Sequence, residues 1–291
     1  MTTRVWLAFL ALGVIWGMPY YFIKLAVGEM SPVWVAWGRL LCASLLLVPI
    51  AVGRGQLRGI FRYWRVILLF ACVELVGPFY LIAFGEQRVS SSLAGILLAG
   101  VPLVVVIVAP LLGVHERVSA RRLFGLVVGL VGVVALLGLD IGGDSRGWLG
   151  AGAILLAALG YAVGPLIVQK HLAGVDSLAV VSASVAVGFI VLTVPAVLTA
   201  PAVTPSAIAL SSVAILGIVC TALGLLLFVY VISRAGASRA AVVTYVNPAV
   251  ALLLGVFLLN EDFGAGPAVG LVLILLGSWL ATRAGAVPAR A

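Results

Sequence analysis

The chain has 291 residues, 64% of them hydrophobic and 9% charged, with 17 Lys and Arg against 9 Asp and Glu and a formal net charge of +8. A water-soluble domain carries about 25% charged residues to cover its surface, so these proportions exclude a soluble fold and call for lipid as the solvent. The basic balance is spread along the chain with no separate basic domain, which argues against a nucleic-acid partner and for anionic lipid.

A helix needs ~20 apolar residues to cross the ~30 Å hydrocarbon layer. Ten such runs are predicted, at 5–27, 32–53, 64–84, 91–113, 121–139, 147–169, 177–199, 207–232, 238–259 and 265–283. The first begins almost at Met1 and is too long for a signal-peptide core. In it Trp16, Tyr20 and Lys24 recur every four residues and so share one helix face. Trp16 and Tyr20 are candidates to line a cavity. Lys24, about one turn from the end of the span, is read as reaching for the headgroups.

The second run carries Arg39, and the third carries Glu74 ten residues in, followed by Pro78 and Tyr80. A charge at such depth costs at least ~2.5–3.5 kcal/mol. Two offsets for Glu74 stay open: an ion pair with Arg39, or a proton that the buried carboxyl takes up and gives back. Pro102 in the fourth run and Pro248 in the ninth interrupt the backbone ladder and read as hinges or static bends. Tyr161, Tyr245 and Asn247 add polar groups near mid-membrane, where each needs a helix, water or ligand partner. Glu116 and Glu261 each precede a span, where an acid suits the positive end of a helix, so they read as caps or gate braces.

Outside the spans, thirteen Lys and Arg fall on one face and only Arg88 and Arg146 on the other. By the positive-inside rule both termini are expected in the cytoplasm. The chain also matches itself at a spacing of about 145 residues. Glu116, Ala120, Gly125 and Gly132 correspond to Glu261, Ala265, Gly270 and Gly277, while Ser92, Ala94 and Pro102 correspond to Ser238, Ala240 and Pro248. Five spans per half is an odd number, so residues 1–142 and 143–291 are expected as inverted repeats, a common transporter plan.

Gly13-Val14-Ile15-Trp16-Gly17, Arg39, Ala83-Phe84-Gly85, Ser90 to Ala94, Pro102, Glu116 and Glu261 together resemble the EamA-type drug/metabolite transporters. The resemblance implies an all-α membrane protein of ten helices in two inverted five-helix repeats. It also implies a bacterial inner-membrane location and export of small organic solutes. Amino acids come first, with the aromatic-exporting branch as the specific guess. The second half departs from the pattern, with Tyr161 opposite Trp16 and no arginine to match Arg39. The expected mechanism is alternating access around a central cavity. Export of amines, drugs or nucleoside-like solutes is the alternative.

An embedded enzyme or a sensor fits less well. His115 is followed by Glu-Arg-Val-Ser, which lacks the second histidine of a zinc-protease motif, and no nucleophile elbow or phosphate loop is present. Cys42, Cys72 and Cys220 are scattered through apolar runs, so neither a disulfide framework nor a metal site is expected. No cofactor is expected. The expected partners are a small-molecule substrate, membrane lipid and, in the proton-coupled reading, protons, with the chain as a monomer or weak homodimer.

Overall fold

The computed structural model describes residues 3–112, 120–140, 145–235, 243, 246–262 and 264–282. Every regular element among them is helical: α1 (Thr3–Gly17), α2 (Pro19–Val27), α3 (Pro32–Gly53), α4 (Trp64–Phe70), α5 (Gly77–Glu86), α6 (Ser91–Leu98), α7 (Val101–Leu111), α8 (Ala120–Asp140), α9 (Ser145–His171), α10 (Ser177–Leu198), α11 (Ala207–Ile215), α12 (Gly224–Ala235), α13 (Asn247–Leu259) and α14 (Ala265–Thr282). Several starts are set by side-chain caps. Ser31, Ser90, Asp176 and Ser206 each accept the backbone N–H three residues ahead, satisfying a donor that the first turn leaves free.

Six helical stretches are long and apolar enough to cross a membrane: Thr3–Val27, Pro32–Gly53, Ile60–Glu86, Ser145–His171, Ser177–Leu198 and Ala207–Val231. A seventh, α6 with α7, is bent by 40°, and three shorter apolar helices cover Leu123–Leu136, Asn247–Leu259 and Ala265–Leu280. Their rims expose Leu7, Leu45, Leu130, Ile190, Leu198 and Phe257, as a surface solvated by acyl chains must.

Several expected spans are not continuous α-helices. α1 gives way to α2 at Met18, ahead of Pro19. α4 and α5 are joined by a π-helical turn, Ala71–Val76, and α11 and α12 by another, Leu216–Leu223. These two turns start 145 residues apart, the spacing of the sequence repeat. Pro78 supplies a reason for the first, because it lacks the N–H that would bond the carbonyl of residue 74 and its ring crowds that carbonyl. Pro102 and Pro248 do not lie within helices as expected. Each occupies the first turn of a new one, α7 or α13, where a missing N–H costs nothing.

Corresponding helices of the two halves pack side by side and antiparallel. Between α3 and α10, the Ser31 hydroxyl donates to the Thr199 hydroxyl (3.2 Å) and the Ser182 hydroxyl to the Leu47 carbonyl (3.2 Å). Between α6 and α13, Gly95 meets Ala251 while Gly255 meets Ser91 and Ser92. α8 and α14 cross backbone to backbone, Gly129 against Gly277 and Gly132 against Ile274, where a Cβ would not fit. Small residues here substitute for the missing hydrophobic drive, since lipid is as apolar as Leu and close packing is what joins helices.

Candidate functional site

Each π turn carries a polar residue of the bundle interior, Glu74 in the first and Thr221 in the second. The Thr221 hydroxyl donates to the Leu216 carbonyl five residues back (2.8 Å), the i to i+5 spacing of the π turn itself. A Cβ on Gly217 would lie 2.6 Å from the Arg39 carbonyl, so this glycine lets α3 come against the turn. Arg39, only 7% exposed, then donates from Nε to Thr221 Oγ1 (2.7 Å) and lays its guanidinium 3.7 Å from the centre of the Phe79 ring.

Glu74 sits in the first π turn but points away from Arg39. Its carboxylate lies against Gly164 of α9, where a Cβ would displace it, and Oε2 is buried with no hydrogen-bond partner. The Glu74–Arg39 pair considered from the sequence is therefore not formed: equal depth on neighbouring helices does not fix azimuth, and the π turn rotates Glu74 toward α9. Gly160, one turn earlier on α9, admits the Val73 carbonyl and Pro78 in the same way.

Of the remaining expected residues, Tyr20 and Tyr161 come within electrostatic range of each other and of Arg39, and the others separate. Tyr20 is buried on α2 and lies beside Gly95. Tyr161 is half-buried where the two main apolar clusters of the bundle meet. Trp16 faces α12, its ring 4.9 Å from that of Phe228 and its Nε1 beside Gly224. Tyr80 has Phe84 as its ring neighbour (6.0 Å). With its amide nitrogen turned toward the carbonyls, Asn247 donates to Val243 (3.0 Å) and Gly13 (3.2 Å), tying the start of α13 to α1. Tyr245, Glu116 and His115 lie outside the described residues.

At the Glu86 end of the bundle, two sequence readings change and a further buried acid is found. Lys24 does not reach for headgroups: its Nζ donates to the carbonyls of Glu86 and Val89 (2.7 Å each), closing the C-terminal end of α5. That use is favoured because the last carbonyls of a helix have no internal partner. Glu261 caps α6 of the other half, not the following α14. It accepts from the N–H groups of Ser91 (2.7 Å) and Ser92 (3.0 Å) and from the Ser92 hydroxyl (2.6 Å). Glu86, expected just beyond the third span, is fully buried, and neither carboxylate oxygen has a hydrogen-bond partner.

Further links close this end. Glu29 accepts from the Ser206 N–H and hydroxyl (2.6 Å each), and those bonds hold its carboxyl below the usual range, the hydroxyl first. Ser31 bonds Thr199. A cleft of about 300 Å³ opens beside Lys24, Val27, Gly28, Glu86 and Gln87. A second, apolar cavity of about 250 Å³ runs between α7, α8 and α9 along Leu103, Leu126, Leu130 and Leu155. Neither is lined by Trp16, Tyr80 or Tyr161.

Sequence reasoning missed Glu86, Thr221, Phe79 and Ser91. Thr221 and Ser91 carried no charge or aromatic ring to mark them. Glu86 fell to a span boundary drawn two residues short. Among the described residues, no three His, Cys, Asp or Glu converge as metal ligands.

The model of the EamA-like transporter family matches residues 3–138 and again 148–283. An inner membrane transporter of Escherichia coli K12, YedA, is 28% identical over 285 residues, covering 94% of this chain and 91% of its own. The Bacillus subtilis transporter YvbV is 25% identical, covering 94% of this chain and 89% of its own. A solved crystal structure shares the fold with a TM-score of 0.68 at 20% identity, over 97% of both chains. With its apolar helices, the chain is a multi-pass integral protein of the bacterial inner membrane.

Proposed function

This chain belongs to the EamA-like transporter family, and from that premise we propose that it exports small amphipathic metabolites as a secondary transporter, amino acids first and aromatic ones preferred. The observation that carries this reading is the set of unspent polar groups deep in an apolar bundle: Glu74 with a free buried oxygen, Arg39 without an ion-paired acid, and Tyr161 on the helix facing Glu74. Groups left unpaired in lipid are costly and are expected where a solute or proton completes them.

Ten spans in inverted halves, 1–142 and 143–291, fit the antiparallel pairing of α3 with α10, α6 with α13 and α8 with α14. A two-fold axis in the membrane plane makes every such pair antiparallel. With both termini cytoplasmic, as the Lys and Arg bias supports, the Glu86 end is outside. The Glu261, Glu29 and Ser31 links then describe an outward-closed state. In this reading a solute enters from the cytoplasm and meets Tyr20, Tyr161 and Trp16. It leaves when Glu261 releases α6 and the starts of α7 and α13, at Pro102 and Pro248, swing. Glu74 carries the coupling proton.

Uptake by inside-out proteoliposomes of a panel of amino acids, with and without a pH gradient, tests this. Saturable uptake of phenylalanine, tryptophan or tyrosine above empty vesicles is expected, and rates equal to empty vesicles across the panel would overturn it. The unpaired Glu74 carboxylate favours a second reading, a cationic amine as cargo. Amines accepted in place of amino acids in the same panel would select it.

A further inference from the structure

Arg39 is a cation with no ion-paired acid; Glu86 reaches it only through longer-range electrostatics. A guanidinium keeps its charge in a protein, and this one lies seven residues into α3, ~10 Å from the start of the helix at ~1.5 Å per residue. Among the described residues no carboxylate is paired with it. Glu74 faces Gly164, and Glu86 has no hydrogen-bond partner at either oxygen, Lys24 being the cation that acts on it most strongly. Lys24 is committed to two backbone carbonyls. A structural buried arginine is ordinarily stabilised by a paired acid, because an uncompensated charge is strongly destabilising. Here three ionisable groups are held apart by the helices that carry them.

The contacts that Arg39 does make leave its two terminal nitrogens without a hydrogen bond. Thr221 takes Nε, and Phe79 takes one side of the plane. Engagement of Nε blocks the side-on approach of a carboxylate, through Nε and one terminal nitrogen. The end-on fork, Nη1 with Nη2, remains. Both terminal nitrogens lack hydrogen bonds, yet neither is among the sealed, partnerless polar atoms. Such a fork matches the two oxygens of a carboxylate in a bidentate pair. Thr221 and Phe79 therefore act to aim it.

We propose that Arg39, aimed by Thr221 and Phe79, is the anchor for the carboxylate of the transported solute. The ligand class is a monoanionic carboxylate on an apolar body. One unspent cation suits one negative charge, whereas a phosphate dianion would need a second. Phe79 supplies an apolar ring against the guanidinium, and the Tyr161 and Tyr20 rings lie within its electrostatic range. This inference rests on the amino-acid reading above and deepens it by assigning the residue that recognises the acid group.

The test compares wild type with Arg39→Gln, Arg39→Lys and Thr221→Val in proteoliposomes, using phenylalanine and phenethylamine, which differ by the carboxylate alone. Arg39→Gln is expected to raise KM for phenylalanine by about tenfold or more, the size of one lost charge-assisted pair, and to leave phenethylamine unchanged. Arg39→Lys keeps the charge without the fork and falls between. Thr221→Val raises KM for phenylalanine alone, by less. Equal effects on both solutes, or none on phenylalanine, would overturn the anchor while leaving transport intact. Thermal stabilisation of the detergent-solubilised protein by 3-phenylpropionate gives a readout independent of transport. Stabilisation present in wild type, absent in Arg39→Gln and reduced in Thr221→Val and Arg39→Lys supports the anchor even if amino acids are not carried. No stabilisation of wild type by 3-phenylpropionate or phenylalanine refutes it. Absence of phenylalanine uptake by wild type, with that stabilisation present, instead refutes the amino-acid reading.

Discussion

Glu74 concentrates the question of coupling in one side chain. Its buried Oε2 has no partner and Gly164 leaves it just enough space, so proton exchange has no ion pair to break. Glu74→Gln removes the proton site while keeping shape. Its transport is expected to lose pH dependence and the response to an imposed pH gradient, with binding of solute retained. A pH profile that follows wild type would remove Glu74 as the coupling group. Gly164→Ala tests the same gap from the other helix. The added methyl must push the carboxylate or separate α9 from the π turn, an overpacking cost of ~1–3 kcal/mol. Thermal unfolding in detergent is expected to show the loss, and a second change, Glu74→Ala, to recover it. The depth of Glu74 and Arg39 was legible in the sequence, because charge inside an apolar run is conspicuous. Their failure to pair was not, because a π turn shifts azimuth without leaving a mark in composition.

At the scale of elements, the long spans follow from apolar run length, whereas the antiparallel pairing of α8 with α14 was not read from the sequence, although the glycines that make it, Gly129 and Gly277, lie in the repeated segments. The breaks were less legible. Pro102 and Pro248 looked like interior kinks, yet each begins a helix, so α6 and α7 are two rods meeting at Gly100 with a 40° bend. Two rods joined at a break can change angle without distorting either ladder. Spin-label distances across α6 and α7 in a Pro102→Ala/Pro248→Ala variant are therefore expected to collapse from two populations to one as a continuous helix is favoured. Distributions like those of wild type would leave the prolines as static starts. The π turns at Ala71–Val76 and Leu216–Leu223 recur at the repeat spacing although only one precedes a proline. The second is held by the Thr221 hydroxyl bonded to the Leu216 carbonyl. Nothing in local propensity foretells a π turn of that kind, since its stabilising bond is made by a side chain that serves as well in an α-helix.

For the molecule as a whole, alternating access requires that the links closing one end be broken in every cycle. At the Glu86 end those links are hydrogen bonds between the halves: Glu261 on Ser91 and Ser92, Glu29 on Ser206, and Ser31 on Thr199. The Glu29 bonds favour its charged form. Because that carboxyl is held below its ordinary range, the link is fully present above that range and weakens only as pH falls beneath it. Glu29 is solvent-exposed, so screening keeps the contribution small. Proton-driven opening at this end is therefore not expected from Glu29 near neutral pH, and the link acts as a passive latch. A covalent latch should then stop the cycle. The Ser31 and Thr199 hydroxyl oxygens are 3.2 Å apart, so thiols at both positions are within reach of a disulfide in this state. In a background lacking Cys42, Cys72 and Cys220, the Ser31→Cys/Thr199→Cys variant is expected to lose transport on mild oxidation and regain it on reduction. Either single substitution should be insensitive to both treatments. If the proposed orientation and alternating access hold, solute binding from the face opposite this latch should survive in the oxidised form. Undiminished transport by a fully cross-linked protein would mean that α3 and α10 never part at this end, and the rocking of one half against the other would have to be abandoned.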